Sequence, residues 1–180
     1  MSTSKPILNI ADASVEHQLA HGEHFAVTMA PLADKLGATL IGANLSTVPA
    51  GKAAFPFHHH YGTEEHFFIV RGSGVLRYGT ERYLVAAGDY MVSPRGGPEH
   101  AHQLINTGTD DLVYLAISNR IAPEVVGYPD SQKTGVAAQA WGTQGGLQRF
   151  LVTDGQRDFD HYWAGEDGKQ VQQILNMSRI

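Results

Sequence analysis

Residues 55–72 read FPFHHHYGTEEHFFIVRG, and this stretch decides the fold. Side chains two residues apart in an extended strand point to the same face. His58 and His60 therefore share a face, and His59 points the other way. After a short turn the sequence alternates again, and Glu65 begins a row that continues with apolar side chains. The alternation predicts a strand whose inner row brings Glu65 into the same interior as the two histidines.

Similar patterns continue on both sides of this stretch. Apolar runs of strand composition recur at intervals of roughly eight to twelve residues, with glycine-rich and proline-rich turns between them. The predicted strands are residues 24–29, 38–48, 65–70, 75–78, 83–86, 90–93, 99–105 and 112–118. No long helical period interrupts them, so the sequence predicts an all-β fold, a sandwich or a barrel. The triplet Gly72-Ser73-Gly74 predicts a tight hairpin.

The two ends of the chain are less regular. Residues 1–23 are interpreted as an N-terminal arm with an edge strand at residues 6–10, and residues 121–180 as a C-terminal extension. The extension is expected to contain an edge strand at 123–129, a long loop at 131–148, a strand at 149–153 and a helix at 167–177. The expected organisation is a single domain, residues 1–180, with its barrel core at about 37–120.

A second informative segment, residues 88–106, reads GDYMVSPRGGPEHAHQLIN. If residues 99–105 form a strand, His100, His102 and Leu104 share its inner face. Both histidines then point inward, and parity alone does not choose between them.

Together these two segments resemble the two motifs of the cupin family. The first motif corresponds to Gly51, His58, His60, Glu65 and Gly72, and the second to Gly88, Pro94, Gly96, His102 and Asn106. The spacing to Gly72 favours Glu65 over Glu64, and the spacing to Asn106 favours His102 over His100. The resemblance implies a double-stranded β-helix, also called a jelly-roll or cupin barrel. It also implies a divalent metal ion (Fe, Mn, Ni or Zn) held by His58, His60, Glu65 and His102, while Asn106 stabilises a turn.

Similar cupins with this ligand set include dioxygenases, decarboxylases and isomerases. We therefore expect a metal-binding protein that acts on a small organic molecule, as a dioxygenase-like oxidoreductase, a decarboxylase or an isomerase. The candidate catalytic residues are Glu65, His100 and Tyr61, and Arg95 is a weaker candidate for contact with an anionic substrate. The alternative is a protein that binds or senses a small molecule without turnover.

Composition narrows the remaining possibilities. The chain has no cysteine and a formal net charge of −5, which excludes disulfides and thiolate ligands and disfavours nucleic acid as a partner. No apolar run reaches membrane-spanning length, so a cytoplasmic protein without a membrane contact is expected. Exposed strand edges and outer apolar side chains such as Phe68 favour a homodimer. His59 and His161 are expected at the surface, and Trp141 and Trp163 over the core or a partner subunit.

Overall fold

The computed structural model describes residues 5–138, 149–153, 157–158 and 162–178. Within them the strands are β1 His17–His21, β2 Phe25–Pro31, β3 Ile41–Val48, β4 His59–His60, β5 Glu65–Arg71, β6 Ser73–Tyr78, β7 Glu81–Ala86, β8 Tyr90–Ser93, β9 His102–Ile105, β10 Leu112–Asn119, β11 Glu124–Tyr128, β12 Lys133–Ala137, β13 Arg149–Thr153 and β14 Arg157–Asp158. The α-helices are α1 Leu32–Lys35 and α2 Lys169–Met177, and short 3₁₀ turns lie at Ile10–Asp12 and Pro98–His100.

These strands form three sheets in which all the pairings are antiparallel. The largest has the order β1-β2-β3-β10-β5-β8, the second the order β14-β13-β12-β11-β4, and the third the order β7-β6-β9. Single bridges at Ala53–Ile105 and His58–His102 join segments outside the named strand pairs. The expected all-β jelly roll is confirmed.

Strand β5 shows how the sequence pattern positions the core. Phe67 and Ile69 are buried, whereas Phe68 between them is exposed on the outer face. Leu76 and Leu104 from the facing strands are also buried, in the same cluster as Phe67 and Ile69. Burial of such a side chain stabilises the fold by about 1.5–3 kcal/mol. The alternation read from the sequence therefore sets which side chains of β5 reach the interior.

Gly72 lies at a change of sheet, and the hairpin predicted there is wrong. Strand β5 pairs with β8 and β10, whereas β6 pairs with β7 and β9. Gly72 has a φ of 85°, and a Cβ atom at this position would lie 2.5 Å from the backbone oxygen of Asp111. The glycine allows the chain to cross between sheets against the start of β10.

The N-terminal arm differs from its predicted structure. Residues 6–10 form no strand; instead the Asn9 side chain accepts a hydrogen bond from the Ala11 amide and opens the 3₁₀ turn. The edge strand is β1, which follows this turn and pairs with β2.

The C-terminal extension is part of the barrel wall. Strand β11 is not an edge, because it pairs with β12 on one side and with β4 on the other. Strand β12 occupies the start of the predicted loop at 131–148, whose residues 139–148 lie outside the described residues. The predicted helix is confirmed as α2, whose buried residues Val171, Ile174 and Leu175 pack against the barrel. In the described part of the chain, no helix has both the length and the hydropathy to cross a membrane.

Candidate metal centre

The four ligands expected from the sequence come together in the structure. Oε2 of Glu65 lies 2.9 Å from Nε2 of His102, 3.2 Å from Nε2 of His60 and 3.8 Å from Nε2 of His58. The side chains are largely buried, with exposed fractions from 4% for His102 to 19% for Glu65. The donor atoms of His58, His60 and Glu65 all lie within 4.8 Å of one another, close enough for one metal ion.

Backbone pairing sets this geometry. The His58 amide donates to the His102 carbonyl at 3.2 Å, and the His102 amide donates to the His58 carbonyl at 2.8 Å. The two imidazoles stand side by side, with ring centroids 4.6 Å apart. His60 follows on the same face, two residues along the extended segment. Glu65 begins β5 and reaches the same point from the largest sheet.

The outward nitrogens of two of these histidines are held by neutral acceptors. Nδ1 of His58 donates to the Pro56 carbonyl at 2.8 Å. The Ser93 hydroxyl donates to the His100 carbonyl at 3.0 Å, so its oxygen accepts from Nδ1 of His102 at 2.8 Å. With the proton on Nδ1, each Nε2 presents a lone pair to the centre. Outer hydrogen bonds of this kind orient histidines that bind metals.

The residues present fit a divalent ion. When the three imidazoles are neutral with their protons on Nδ1, the buried Oε2 of Glu65 has no hydrogen-bond donor, and a buried charged oxygen without a partner is costly. Nδ1 of His60 also lacks a hydrogen-bond partner. A cation among the three imidazole nitrogens and the carboxylate removes that cost. Nitrogen and oxygen donors suit iron, manganese, nickel and zinc alike.

Burial and the neighbouring charges shift the pKa values of the clustered side chains in different directions. Burial lowers the pKa of His58 well below its ordinary value, and the neighbouring His102 and His60 add to this effect. Burial also opposes the charged forms of His60 and Glu65, but their mutual attraction outweighs it. The pKa of His60 rises to about 9, and the pKa of Glu65 falls well below its usual range. Without a metal ion, a neutral His58 therefore adjoins an imidazolium–carboxylate pair at neutral pH.

Glu124 is a site residue that sequence reasoning missed. It begins β11, and its Oε1 lies 3.8 Å from Nδ1 of His60, the outward nitrogen without a hydrogen bond. The Gly62 amide and the Thr63 hydroxyl donate to the Glu124 carboxylate and hold it in place. Burial raises the pKa of Glu124, but attraction to His60 and the hydrogen bonds from Thr63 and Gly62 outweigh burial and lower that pKa overall. No motif marks Glu124 in the sequence; only the pairing of β11 with β4 brings it here.

The four ligands lie on the wall of a cavity of about 430 Å³. Apolar side chains, among them Leu19, Met29 and Phe67, form much of the lining. The polar residues among the described lining, apart from the four ligands, are Asp34, Asn44, Ser46, Thr63, Gln103, Tyr114, Ser118, Asn119, Arg120, Glu124, Tyr128 and Tyr162. A cavity of this size suits a small organic molecule.

The other two predicted catalytic residues are not part of that lining. The strand predicted at residues 99–105 begins only at His102, because Pro98 starts a 3₁₀ turn that includes His100. Nδ1 of His100 forms a hydrogen bond with the Tyr78 hydroxyl at 2.8 Å. Tyr61 is 53% exposed. The catalytic roles of His100 and Tyr61 stay predictions, and the structure does not bring their side chains to the cavity.

His59 is buried, and its predicted place at the surface is wrong. Its Nδ1 donates to the Gly96 carbonyl at 2.9 Å, and only 3% of the residue is exposed. A Cβ atom at Gly127 would lie 2.1 Å from Nε2 of His59, so the imidazole occupies the space that a side chain on β11 would fill. Two of the expected surface or covering residues, Trp141 and His161, lie outside the described residues.

Two other sequence predictions agree with the structure. Trp163 covers the core, where it packs against Phe25 and stacks on His21 with ring centroids 4.9 Å apart. Asn106 is fully buried, and its side chain donates to the carbonyls of Val48 and Asp110, each at 2.8 Å. It therefore stabilises a turn and does not face the metal centre.

Comparison with known proteins agrees with this architecture. Residues 44–118 match the family model of the cupin domain, so this part of the chain is a cupin domain. A crystal structure of a sugar phosphate isomerase of the cupin superfamily from Silicibacter pomeroyi superposes with a TM-score of 0.71 at 18% identity, covering 86% of this chain and 96% of that one. A protein of Acidithiobacillus ferrooxidans, proposed to be a sugar phosphate isomerase, superposes with a TM-score of 0.68 at 24% identity, covering 89% and 99%. An uncharacterized protein of Methanocaldococcus jannaschii is 27% identical over 107 residues, which are 59% of this chain and 74% of that protein.

Proposed function

We propose that the chain is a metal-dependent isomerase that acts on a small hydroxy-carbonyl compound bound in the cavity. One observation supports the proposal of a metal centre. The Nε2 atoms of three histidines converge on a buried carboxylate oxygen of Glu65 that has no hydrogen bond. Two outward nitrogens, those of His58 and His102, are already held by the Pro56 carbonyl and the Ser93 hydroxyl.

The chemistry follows from this donor set. A divalent ion supplies Lewis acidity to the oxygens of the substrate. The chain's own residues orient the substrate and move the proton between adjacent carbon atoms. We assign that proton transfer to Glu65, which is ionised and would act as the base after its carboxylate leaves the metal ion during turnover. The carboxylate of Glu124 is held by Gly62 and Thr63, so we assign it a positioning role for His60.

Three reaction types are compatible with these ligands: dioxygenation, decarboxylation and isomerisation. Isomerisation is favoured because the two similar structures that cover most of this chain are described as sugar phosphate isomerases. Part of the cavity wall is also suited to a polyhydroxylated substrate, since Asn44 and Ser118, which have hydrogen-bonding side chains, are among its lining residues.

The proposal is tested by combining metal loading with a search for turnover. The purified protein is loaded separately with manganese, iron, nickel and zinc, and bound metal is measured by mass spectrometry. Each form is then incubated in deuterated water with a panel of aldoses, ketoses and their phosphates and followed by NMR. We expect one metal ion per chain and interconversion with deuterium entering the substrate, with and without oxygen. Oxygen consumption or carbon dioxide release would instead identify one of the other two reactions, and a chain that binds no metal would overturn the proposal.

The second candidate is a binding or sensing role without turnover. The apolar part of the cavity, formed by side chains such as Leu19, Met29 and Phe67, favours it because an apolar ligand is held there by burial alone. Metal and ligand binding without product formation across the panel would support this second function over the first.

We further propose that the chain forms a homodimer. Strand β8 is an edge of the largest sheet, and Phe68, Tyr90 and Val92 on β5 and β8 are exposed. Exposed strand edges with apolar side chains are normally covered. Sedimentation velocity on the wild type should give a dimer mass and on Phe68→Lys a monomer mass; a monomeric wild type would contradict the proposal.

A further inference from the structure

The cavity has a second charged region, apart from the four ligands. Arg120 is the only lysine or arginine among the described residues that line the cavity. Its side chain is only 10% exposed, so the guanidinium lies within the wall and not in open solvent. A single buried cation in a ligand cavity is a candidate for contact with an anionic group.

The position of Arg120 relative to the metal centre follows from strand register. Ser118 on β10 pairs with Glu65 on β5, and both side chains line the cavity. Arg120 follows two residues later and continues the same inward row. Two residues of extended chain advance by about 7 Å. A small molecule that places oxygens at the four ligands therefore has room to place a second group near Arg120.

The guanidinium keeps unused donors. Its Nη2 donates to Asp34, and its Nη1 donates to the Ala38 carbonyl at 3.0 Å. An arginine carries five N–H groups, so donors remain for a ligand. Gly42 lies beside this group, and a Cβ atom there would contact Nε of Arg120 at 3.5 Å. Gly42 also lines the cavity, and its missing side chain leaves space next to Nε.

Asp34 is the competing partner of Arg120. The pair is a structural clamp between α1 and the end of β10, and it involves one carboxylate oxygen of Asp34. Asp34 also lines the cavity and is 35% exposed. A partly exposed ion pair of this kind contributes little net stability. An anionic ligand group that enters the cavity therefore finds the guanidinium of Arg120 already paired with Asp34. It has to displace a carboxylate that is held only weakly.

We propose that Arg120 forms an anion subsite, which binds a carboxylate or phosphate group of a ligand whose oxygens occupy the metal centre. The subsite rests on the proposed function for its metal end and adds the substrate class: small hydroxy-carbonyl compounds or hydroxy acids with an anionic group at the far end. Asp34 sets its affinity, because each bound anion displaces or repels this carboxylate.

The test uses two matched pairs of probes with the metal-loaded protein. Glycerate and glycerate 3-phosphate share a chelating end and differ by a phosphate, whereas lactate and malate differ by a carboxylate. Titration calorimetry gives the ratio of dissociation constants within each pair, for wild type, Arg120→Gln, Arg120→Lys and Asp34→Asn. Arg71→Gln is the control, since Arg71 is 68% exposed and outside the cavity lining.

In the wild type we expect the anionic group to improve binding roughly tenfold or more in at least one pair, the magnitude of a charge-assisted hydrogen bond. The pair with the larger ratio identifies phosphate or carboxylate as the group. The ratio should fall to about one in Arg120→Gln, recover partly in Arg120→Lys and rise in Asp34→Asn. Arg71→Gln should match the wild type.

Other outcomes overturn the subsite. If Arg120 only pairs with Asp34, the ratios in Arg120→Gln and Asp34→Asn will stay as in the wild type, whatever the two substitutions do to thermal stability. Ratios near one in a wild type that holds metal also refute the subsite and leave the proposed metal centre intact. A wild type that binds no metal refutes the proposed function. In that case the subsite is tested separately by titrating inorganic phosphate against wild type and Arg120→Gln. The subsite requires phosphate to bind the wild type more tightly than the variant.

Discussion

Two clusters that contain Glu and His lie on opposite faces of strand β5, and they differ in which of their donor and acceptor atoms lack a hydrogen bond. The inner cluster consists of His58, His60, Glu65 and His102. The outer cluster consists of Glu64, His66 and Tyr90. Each contains a contact of 2.9 Å between a histidine Nε2 and a carboxylate oxygen.

The ring nitrogens of the outer cluster find their hydrogen-bond partners within that cluster. Nδ1 of His66 forms a hydrogen bond with the Tyr90 hydroxyl, and its Nε2 contacts Glu64. Both ring nitrogens therefore have partners from the protein, and Glu64 is half-exposed to water. In the inner cluster the hydrogen bonds lie behind the rings, and the buried Oε2 of Glu65 has none. A short Glu–His distance does not define a metal site; unused inward donor atoms in a buried place do.

The largest expected effect is a difference in metal affinity between variants of the neighbouring residues Glu65 and Glu64. Glu65→Gln removes the anionic ligand, so we expect a loss of metal affinity of more than about 100-fold, beyond that of an outer hydrogen-bond partner. Glu64→Gln alters only the outer cluster and should bind metal as the wild type does. Metal content by mass spectrometry, with affinity from competition against a chelator, gives both values. Equal losses in the two variants would show that the faces are not distinct.

The next effect distinguishes the two histidines of residues 99–105. His102→Ala removes a lone pair from the inner cluster, and we expect most of the metal to be lost. His100→Ala breaks the contact with Tyr78 and should leave metal content unchanged. Measurement of both variants after identical loading checks this. Metal lost from His100→Ala and kept by His102→Ala would reverse the ligand assignment.

A pH titration of metal affinity tests the charge state of His60. Burial alone would lower the pKa of this residue, but the interactions with Glu65 and Glu124 outweigh burial and raise it to about 9. The metal must displace this proton, so the association constant should rise about tenfold per pH unit from pH 7 and level off near pH 9. A flat profile over this range would mean that His60 is already neutral in the metal-free protein.

The proton on His60 also affects the stability of the metal-free protein. Here the expected effect of raising the pH is a loss of stability, whereas metal affinity is expected to increase. Because the folded pKa of His60 is raised above its unfolded value of 6.5, the stabilisation is fully present below pH 6.5 and is lost as the pH rises through about 9. Thermal melts in the presence of a chelator should therefore show a lower melting temperature at pH 9 than at pH 7 for the wild type. His60→Gln, which cannot carry this proton, should show a smaller decrease.

The smallest effect concerns the hydrogen bond behind His102. Ser93→Ala removes the acceptor for Nδ1 of His102 and should weaken metal binding roughly tenfold, at the low end for outer partners of metal ligands. Ser73→Ala, an exposed serine on β6, should have no effect. An affinity for Ser93→Ala equal to that of the wild type would show that the His100 carbonyl, 3.3 Å from the same nitrogen, suffices to orient the ring.

The convergence of four side chains was predictable from the sequence because it depends on local alternation and on two spaced motifs. His58, His60 and Glu65 lie within one short stretch of extended chain, and their shared face follows from strand geometry. Side-chain parity did not distinguish His100 from His102, because the predicted strand began at residue 99, inside the turn that starts at Pro98. A 3₁₀ turn occupies that segment and takes His100 out of the inward row.

The remainder depended on contacts between distant parts of the chain. The burial of His59 requires the bare backbone of Gly127 on β11, and the place of Glu124 depends on the same pairing. Nothing in the residues around position 59 or position 124 specifies the partner strand. Local alternation determines which side chains of a strand point inward, whereas the partner of a strand depends on the packing of the complete sheet.

The pairing of β4 with β11 also determines when the centre can form during synthesis. All four ligands leave the ribosome before β11 does, because the chain is made from its N-terminus. A chain halted before residue 124 carries every ligand but lacks the strand that holds His59 and His60 and the carboxylate behind His60. The four side chains therefore reach their final arrangement only after β11 has been translated.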